Sequence, residues 1–146
     1  MGDVDQAGRI VVGVDGSEAS KDALRWAVRQ AQLTGASVDA VIAWEFPAYY
    51  YGWAPAEALD LSAVTREALR TAVDEALGEE RTVAVRELVV EGNPARVLID
   101  AVKDASLLVV GSRGHGGFAG ALLGSVSQHC AQHATCPVVV VRHHSA

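Results

Sequence analysis

The sequence predicts an α/β fold: a mostly parallel sheet, doubly wound in the Rossmann-like manner, with helices on both faces. Three observations carry this. Short β-branched apolar runs alternate with helical patterns along the whole chain. The runs are too apolar to leave one sheet face in water, which is the mark of parallel strands buried on both sides. No linker or internal repeat interrupts the 146 residues, a length that suits one domain over residues 1–146 with one sizeable core.

Each element follows from local pattern. "RIVVGVD" (9–15) is a first strand, closed by Asp15-Gly16-Ser17. "SEASKDALRWAVRQAQLTG" (17–35) opens on a capping serine, repeats apolar positions at Ala23, Leu24, Ala27, Val28 and Ala31, and stops at Gly35. "SVDAVIAW" (37–44) is a second strand, "LSAVTREALRTAVDEALG" (61–78) a second helix with an acidic outer face, and "TVAVRELVV" (82–90) a third strand. Pro94 marks the first turn of a short helix in "EGNPARVLIDAVKDA". "SLLVVG" (106–111) is a fourth strand, "GSVSQHCAQHA" (124–134) a helix, and "PVVVVR" (137–142) the last strand.

Composition narrows the function classes. An apolar share of 50% with 21% charged residues is ordinary globular composition and excludes disorder. A net charge of -6, with scattered basic residues, argues against a nucleic-acid surface. The longest apolar runs are far too short to span a bilayer, so no membrane partner is expected. The start "MGDVDQAGRI" lacks the basic and apolar parts of a signal peptide, so a cytoplasmic location is expected. Residues 1–8 and 143–146 are expected to be flexible ends. Cys130 and Cys136 match neither a redox nor a zinc spacing and read as reduced, mostly buried thiols.

Two stretches are irregular. "EFPAYYYGWAPAEA" (45–58) is too rich in Pro and Gly for a simple connection, and six of the eight aromatic residues fall between Trp44 and Trp53. It reads either as an aromatic patch on the core or a subunit contact, or as a mobile lid over a ligand. The second stretch, "VVGSRGHGGFAGALLGSVS", puts six glycines between Gly111 and Gly124. In a doubly wound sheet, ligands bind beyond the carboxyl ends of the strands, where the strand order reverses. If strands 1 and 4 are neighbours there, Asp15 and the glycine stretch converge on one crevice.

Glycines let backbone N–H groups turn toward an anion, and the stretch ends at Gly124-Ser125, the start of a helix, where the dipole favours negative charge. Ser125 and Ser127 could add hydroxyl donors. Asp15 suits ribose hydroxyls or a nucleotide-bound Mg²⁺. The pattern is neither G-x-x-x-x-G-K-(S/T), since no lysine lies between Gly111 and Ser127, nor G-x-G-x-x-G after strand 1. Two readings stay open from the residues alone: a mononucleotide site, or a glycine-rich loop that only permits tight packing.

Gly111-x2-Gly114-x9-Gly124-Ser125 resembles the ATP-binding signature of the universal stress protein family, G-x2-G-x9-G-(S/T). The strings "IVVGVDGSEAS", "LLVVGSRGHGG" and "GSVSQHCAQHATCPVVVVR" resemble that family in the same order and spacing, over essentially the whole chain. The resemblance implies a five-stranded parallel sheet ordered 3-2-1-4-5 that binds ATP at its switch point. It implies that Gly111, Gly114, Gly124, Ser125 and Val126 hold ribose and phosphates, and that Asp15 lies near the ribose with Gly13 in the same turn. Ala43 matches the position whose backbone meets adenine, and Val110 flanks the nucleotide. AMP or cyclic AMP in the same crevice, or slow ATP hydrolysis, are the alternatives.

The remaining candidates are weaker. Arg113 and His115 occupy variable positions of the signature and could touch a phosphate or sit in solvent. His129 and His133 have metal-like i, i+4 spacing around Cys130, but no third ligand is placed, so no metal site of the protein's own is expected. His143 and His144 read as a polar tail without consequence. Dedicated catalysis lacks a loop lysine and an evident base beyond Asp15, and Glu75 and Glu79 lie on a solvated face. The strand 137–142 is apolar on both faces and ends the winding, so it is expected to pair with its own copy in a homodimer.

Overall fold

The computed structural model describes residues 8–45, 60–79, 81–113 and 124–143. The aromatic stretch from Phe46 onward, Gly114, His115 and His144 lie outside them, and so do the expectations that fall on them. In chain order the elements are β1 (Arg9–Gly13), α1 (Glu18–Thr34), β2 (Ser37–Trp44), α2 (Leu61–Leu77), β3 (Val85–Glu91), α3 (Pro94–Ala101), β4 (Leu107–Gly111), α4 (Ser125–His133) and β5 (Val138–Val141). The five strands form one parallel sheet in the order β3-β2-β1-β4-β5, as the family resemblance implies.

Local chemistry sets the helix ends. The Ser17 hydroxyl accepts from the Ser20 N–H at 3.2 Å and caps α1. At its other end Gly35 takes φ 80, a left-handed conformation glycine adopts without penalty, and its N–H donates to the Ala31 carbonyl. Asn93 caps α3 by accepting from the Ala95 and Arg96 N–H groups at 3.1 and 3.2 Å, and Pro94 takes the first helical position.

Strand alternation then divides the core in two. Ile10, Val12, Val38, Ala40, Ile42 and Val109 face α1 and α2, while Val11, Val41, Leu108 and Val110 face α3 and α4. The buried face of α1 is almost all alanine, with Leu24 the one large side chain, so this helix lies close on the sheet. Fully buried Leu24 and Leu69 contribute about 1.5–3 kcal/mol each by leaving water.

Several boundaries differ from the sequence reading. The third strand starts at Val85 rather than at Thr82, because Thr82 and Val83 form a bend and the Gln32 amide donates to the Thr82 hydroxyl instead. The first strand ends at Gly13, although the Val14 N–H still donates to the Val41 carbonyl at 2.9 Å. Pro137 precedes β5 and contributes only its carbonyl, which accepts from the Leu108 N–H at 3.0 Å.

One charged cluster sits inside the sheet's amino-terminal end, away from the switch point. Asp39, 3% exposed, accepts from Arg9 at 3.1 Å and from Arg86 at 2.9 and 3.2 Å. Arg9 also donates to the Ala101 and Lys103 carbonyls, tying the end of α3 to β1. A buried carboxylate is tolerable only with such partners.

Candidate functional site

Residues 10–12 of β1 pair with residues 107–109 of β4, and the other edge of β1 pairs with β2. The winding therefore reverses between β1 and β4, and both strands end toward the same side of the sheet. Asp15 follows β1, and Ser112 follows β4. Two helices also start at this end, and their first turns differ.

The start of α1 is closed by its own side chains. The Asp15 carboxylate accepts from the Ser17 N–H at 2.9 Å and from the Ser17 hydroxyl at 2.5 Å. The Asp15 N–H donates to the Ser20 hydroxyl at 3.3 Å, and Ser20 in turn donates to the Ser17 carbonyl. Gly16, at φ 84, permits this tight turn. These bonds hold an exposed carboxylate in a fixed position just beyond the carboxyl end of β1.

The start of α4 is open by comparison. Its capping residue is Gly124, which has no side chain to accept from the first-turn N–H groups. The Gly124 N–H donates to the Ser112 carbonyl at 2.6 Å, so the two ends of the glycine stretch are joined at a neck. The Ser112 N–H donates to the Val141 carbonyl at 2.8 Å, which ties that neck to β5. Ser125, at the first helical position, is exposed, and Val126 packs its side chain against the second core while its N–H belongs to the uncapped turn.

The glycines divide by role. A Cβ on Gly13 would come within 2.7 Å of a Leu98 methyl, and one on Gly111 within 2.8 Å of the Ala19 carbonyl carbon and Cβ. Both positions are small because protein packs against them. Gly124 has φ -66 and ψ 160, a conformation open to any residue, so backbone geometry does not call for glycine there. Ala43, near the end of β2, is half-buried and pairs with Val90, while Val110 is buried against the second core.

Ser127 corrects the sequence reading. It is 3% exposed, and its hydroxyl donates to the Gly124 carbonyl at 3.0 Å and lies 3.3 Å from the Ser112 carbonyl. A hydroxyl has one proton to give, and this one serves the neck rather than pointing out as a phosphate donor. Ser112 and Ser20, which the sequence reading did not single out, also fix this end of the sheet. Ser20 stands three residues after the Ser17 cap, a local spacing that could have drawn notice; Ser112 carries no such signal.

The other titratable groups lie elsewhere. Burial raises the Cys130 thiol to about 11 and also raises Cys136, and both cysteines are free. The rings of His129 and His133 are 4.6 Å apart, and among the described residues no three His, Cys, Asp or Glu side chains gather to hold a metal. Glu75 pairs with Lys21 at 2.5 Å and, ahead of Glu18, raises the lysine's pKa. His143 is more than a tail residue: its Nδ1 lies 2.6 Å from an Asp22 carboxylate oxygen, linking the end of β5 to α1.

A family profile for the universal stress proteins matches residues 7–142. The chain belongs to that family. Among curated universal stress proteins, one from Mycobacterium tuberculosis (strain H37Rv) is 35% identical over 145 residues, covering 94% of this chain and 46% of its own length. The chain thus spans about half the length of the curated relatives it matches first. Among solved structures, the universal stress protein UspA from Lactobacillus plantarum superposes with a TM-score of 0.76 at 25% identity, covering 93% of this chain and 98% of its own. A universal stress protein solved in complex with cAMP superposes with a TM-score of 0.68 at 31% identity, covering 92% of this chain and 96% of its own. No helix among the described residues is long and apolar enough to cross a membrane.

Proposed function

We propose that this universal stress protein binds ATP in the crevice between the carboxyl ends of β1 and β4, and uses occupancy as a signal rather than as fuel. The observation that carries this is the uncapped start of α4, held at the switch point by the Gly124–Ser112 hydrogen bond. First-turn N–H groups that the capping residue leaves without a side-chain partner, beside a fixed exposed carboxylate, form a donor set suited to phosphates at one end and ribose hydroxyls at the other. In this reading Gly111, Gly114, Gly124, Ser125 and Val126 hold the phosphates and ribose, with Gly13 and Asp15 on the ribose side. Ala43 meets the base through its backbone, and Val110 flanks the nucleotide. Any Mg²⁺ is carried by the nucleotide, with Asp15 as its protein contact.

The relative solved with cAMP favours a second reading, in which a monophosphate or cyclic adenine nucleotide takes the same crevice with fewer phosphate contacts. Mass spectrometry of nucleotide released from freshly purified protein separates the two. ATP is the expected species, and AMP or cAMP would select the second reading. Absence of retained nucleotide together with no heat on titration with any of the three would remove both. A turnover assay with Mg²⁺ is expected to show at most slow hydrolysis.

The same reading includes a cytoplasmic homodimer formed through β5. All four residues of β5 are only half-buried at the end of the sheet, which leaves a valine edge for a second copy to cover. Antiparallel pairing across a two-fold axis would close that edge in both chains.

A further inference from the structure

We infer that Ser127 is a positioning residue for the proposed phosphate site, acting through the neck between Ser112 and Gly124 and not by touching the ligand. The inference rests on the nucleotide reading above and adds to it how the start of α4 is aimed. Ser112 follows the end of β4 and Gly124 precedes α4, and one backbone bond of 2.6 Å joins those two residues. Ser127 stands one turn into α4 and is 3% exposed. From there its hydroxyl reaches the carbonyls of both neck residues, at 3.0 Å to Gly124 and 3.3 Å to Ser112. Shared between the two carbonyls, its single proton straps the first turn of the helix to the residue that follows β4.

That strap matters because α4 has only nine residues and no side-chain cap. The direction of its first N–H groups is set by where Gly124 sits, and N–H···O bonds weaken steeply once misaligned. Ser112 is itself fixed from the far side by its bond to the Val141 carbonyl. Ser127 therefore aligns donors carried by Ser125 and Val126 against a rigid strand end. A buried hydroxyl whose proton is already given to main-chain oxygens is not a donor to an outside phosphate.

Ser127→Ala tests this with two readouts. Amide exchange at Gly124, followed by NMR, should speed up by roughly tenfold as the strap is lost. Calorimetric titration should show ATP affinity falling by roughly tenfold, with adenosine, which has no phosphate, binding as it does to the parent. Unchanged Gly124 exchange, unchanged ATP affinity, or equal losses for ATP and adenosine would each overturn the inference. If the alanine variant does not fold, Ser127→Cys keeps the side chain but supplies only a weak donor, and it should give the same pattern at smaller amplitude. A parent chain that binds no ATP removes the nucleotide reading, while the exchange at Gly124 still decides the neck.

Discussion

Gly111 and Ala19 meet so closely that a Cβ on the glycine would lie 2.8 Å from both the carbonyl carbon and the Cβ of the alanine. This is where the first turn of α1 rests on the end of β4, and the obstructing atoms are the alanine's backbone and Cβ, which cannot swing aside. Gly111→Ala should therefore push α1 off the sheet and destabilise the fold by about 1–3 kcal/mol. Thermal melts of the variant check this. A melting temperature equal to the parent's would show that the contact is slack.

The β5 edge can be tested without disturbing the core. Val139 and Val141 pack under α1, and Val138 and Val140 face the other helices, so lysines at any of them would damage the fold as well as an interface. The backbone offers a cleaner route. The carbonyls of Pro137 and Val141 accept from β4, so by ladder alternation the polar groups of Val140 point away from it. Val140→Pro removes an outward N–H and keeps the β4 pairing. Sizing chromatography should then report a monomer where the parent is a dimer. A variant that elutes with its parent as a dimer would exclude this edge as the interface.

The Asp22 carboxyl is held below its ordinary value of 3.8, chiefly by the hydrogen bond from His143, with Arg25 adding to it. A folded-state value below the unfolded one means that the stabilisation is present above pH 3.8 and is lost as the pH falls through the folded value. His143→Ala should thus be less stable than the parent at about pH 5, and the gap should close in more acid solution. Urea unfolding across that range measures it. A gap that stays constant to the lowest pH would show that the pair is not the cause.

The Cys130 thiol should be inert while the chain is folded, and the half-buried Cys136 slow. Thiolate is the reactive form, and burial lifts Cys130 to about 11. Alkylation at about pH 8 should label Cys130 only after unfolding, with Cys136 reacting slowly before it. Rapid labelling of Cys130 in the native protein would mean that α4 opens readily.

What could be read from the sequence was chemistry that acts within a few residues. Ser17 and Gly35 end their helix through groups three and four positions away, and Pro94 suits the first turn of α3 by its own ring, so their roles show in the string itself. The parallel sheet followed from alternation, and its strand order from the family resemblance carried by Gly111, Gly124 and the strings around them. Asp39 was not legible, because its partners Arg9 and Arg86 lie 30 and 47 residues away and nothing local marks a buried carboxylate. The glycines were legible as a group but not one by one. Whether a missing Cβ makes room for Ala19, for Leu98 or for a ligand depends on what folds against it. Ser127 misled for the same reason: a serine in the first turn of a helix looks like an outward donor until Ser112 arrives beneath it.

Gly124 is the position at which the phosphate-cradle reading stands or falls. Its backbone conformation suits any residue, so a side chain there meets no intrinsic strain. If the glycine exists to let a phosphate approach the first-turn N–H groups, Gly124→Val should abolish ATP binding by obstruction while the fold persists. Ser125→Ala removes one exposed hydroxyl and should weaken binding by about 1–2 kcal/mol, on the order of tenfold. If the glycine serves packing alone, the order of effects reverses. Gly124→Val would then lower the melting temperature steeply, and Ser125→Ala would leave binding unchanged. ATP titration and thermal melts on both variants set the two accounts against each other. A folded Gly124→Val protein that binds ATP as tightly as its parent would sink the cradle.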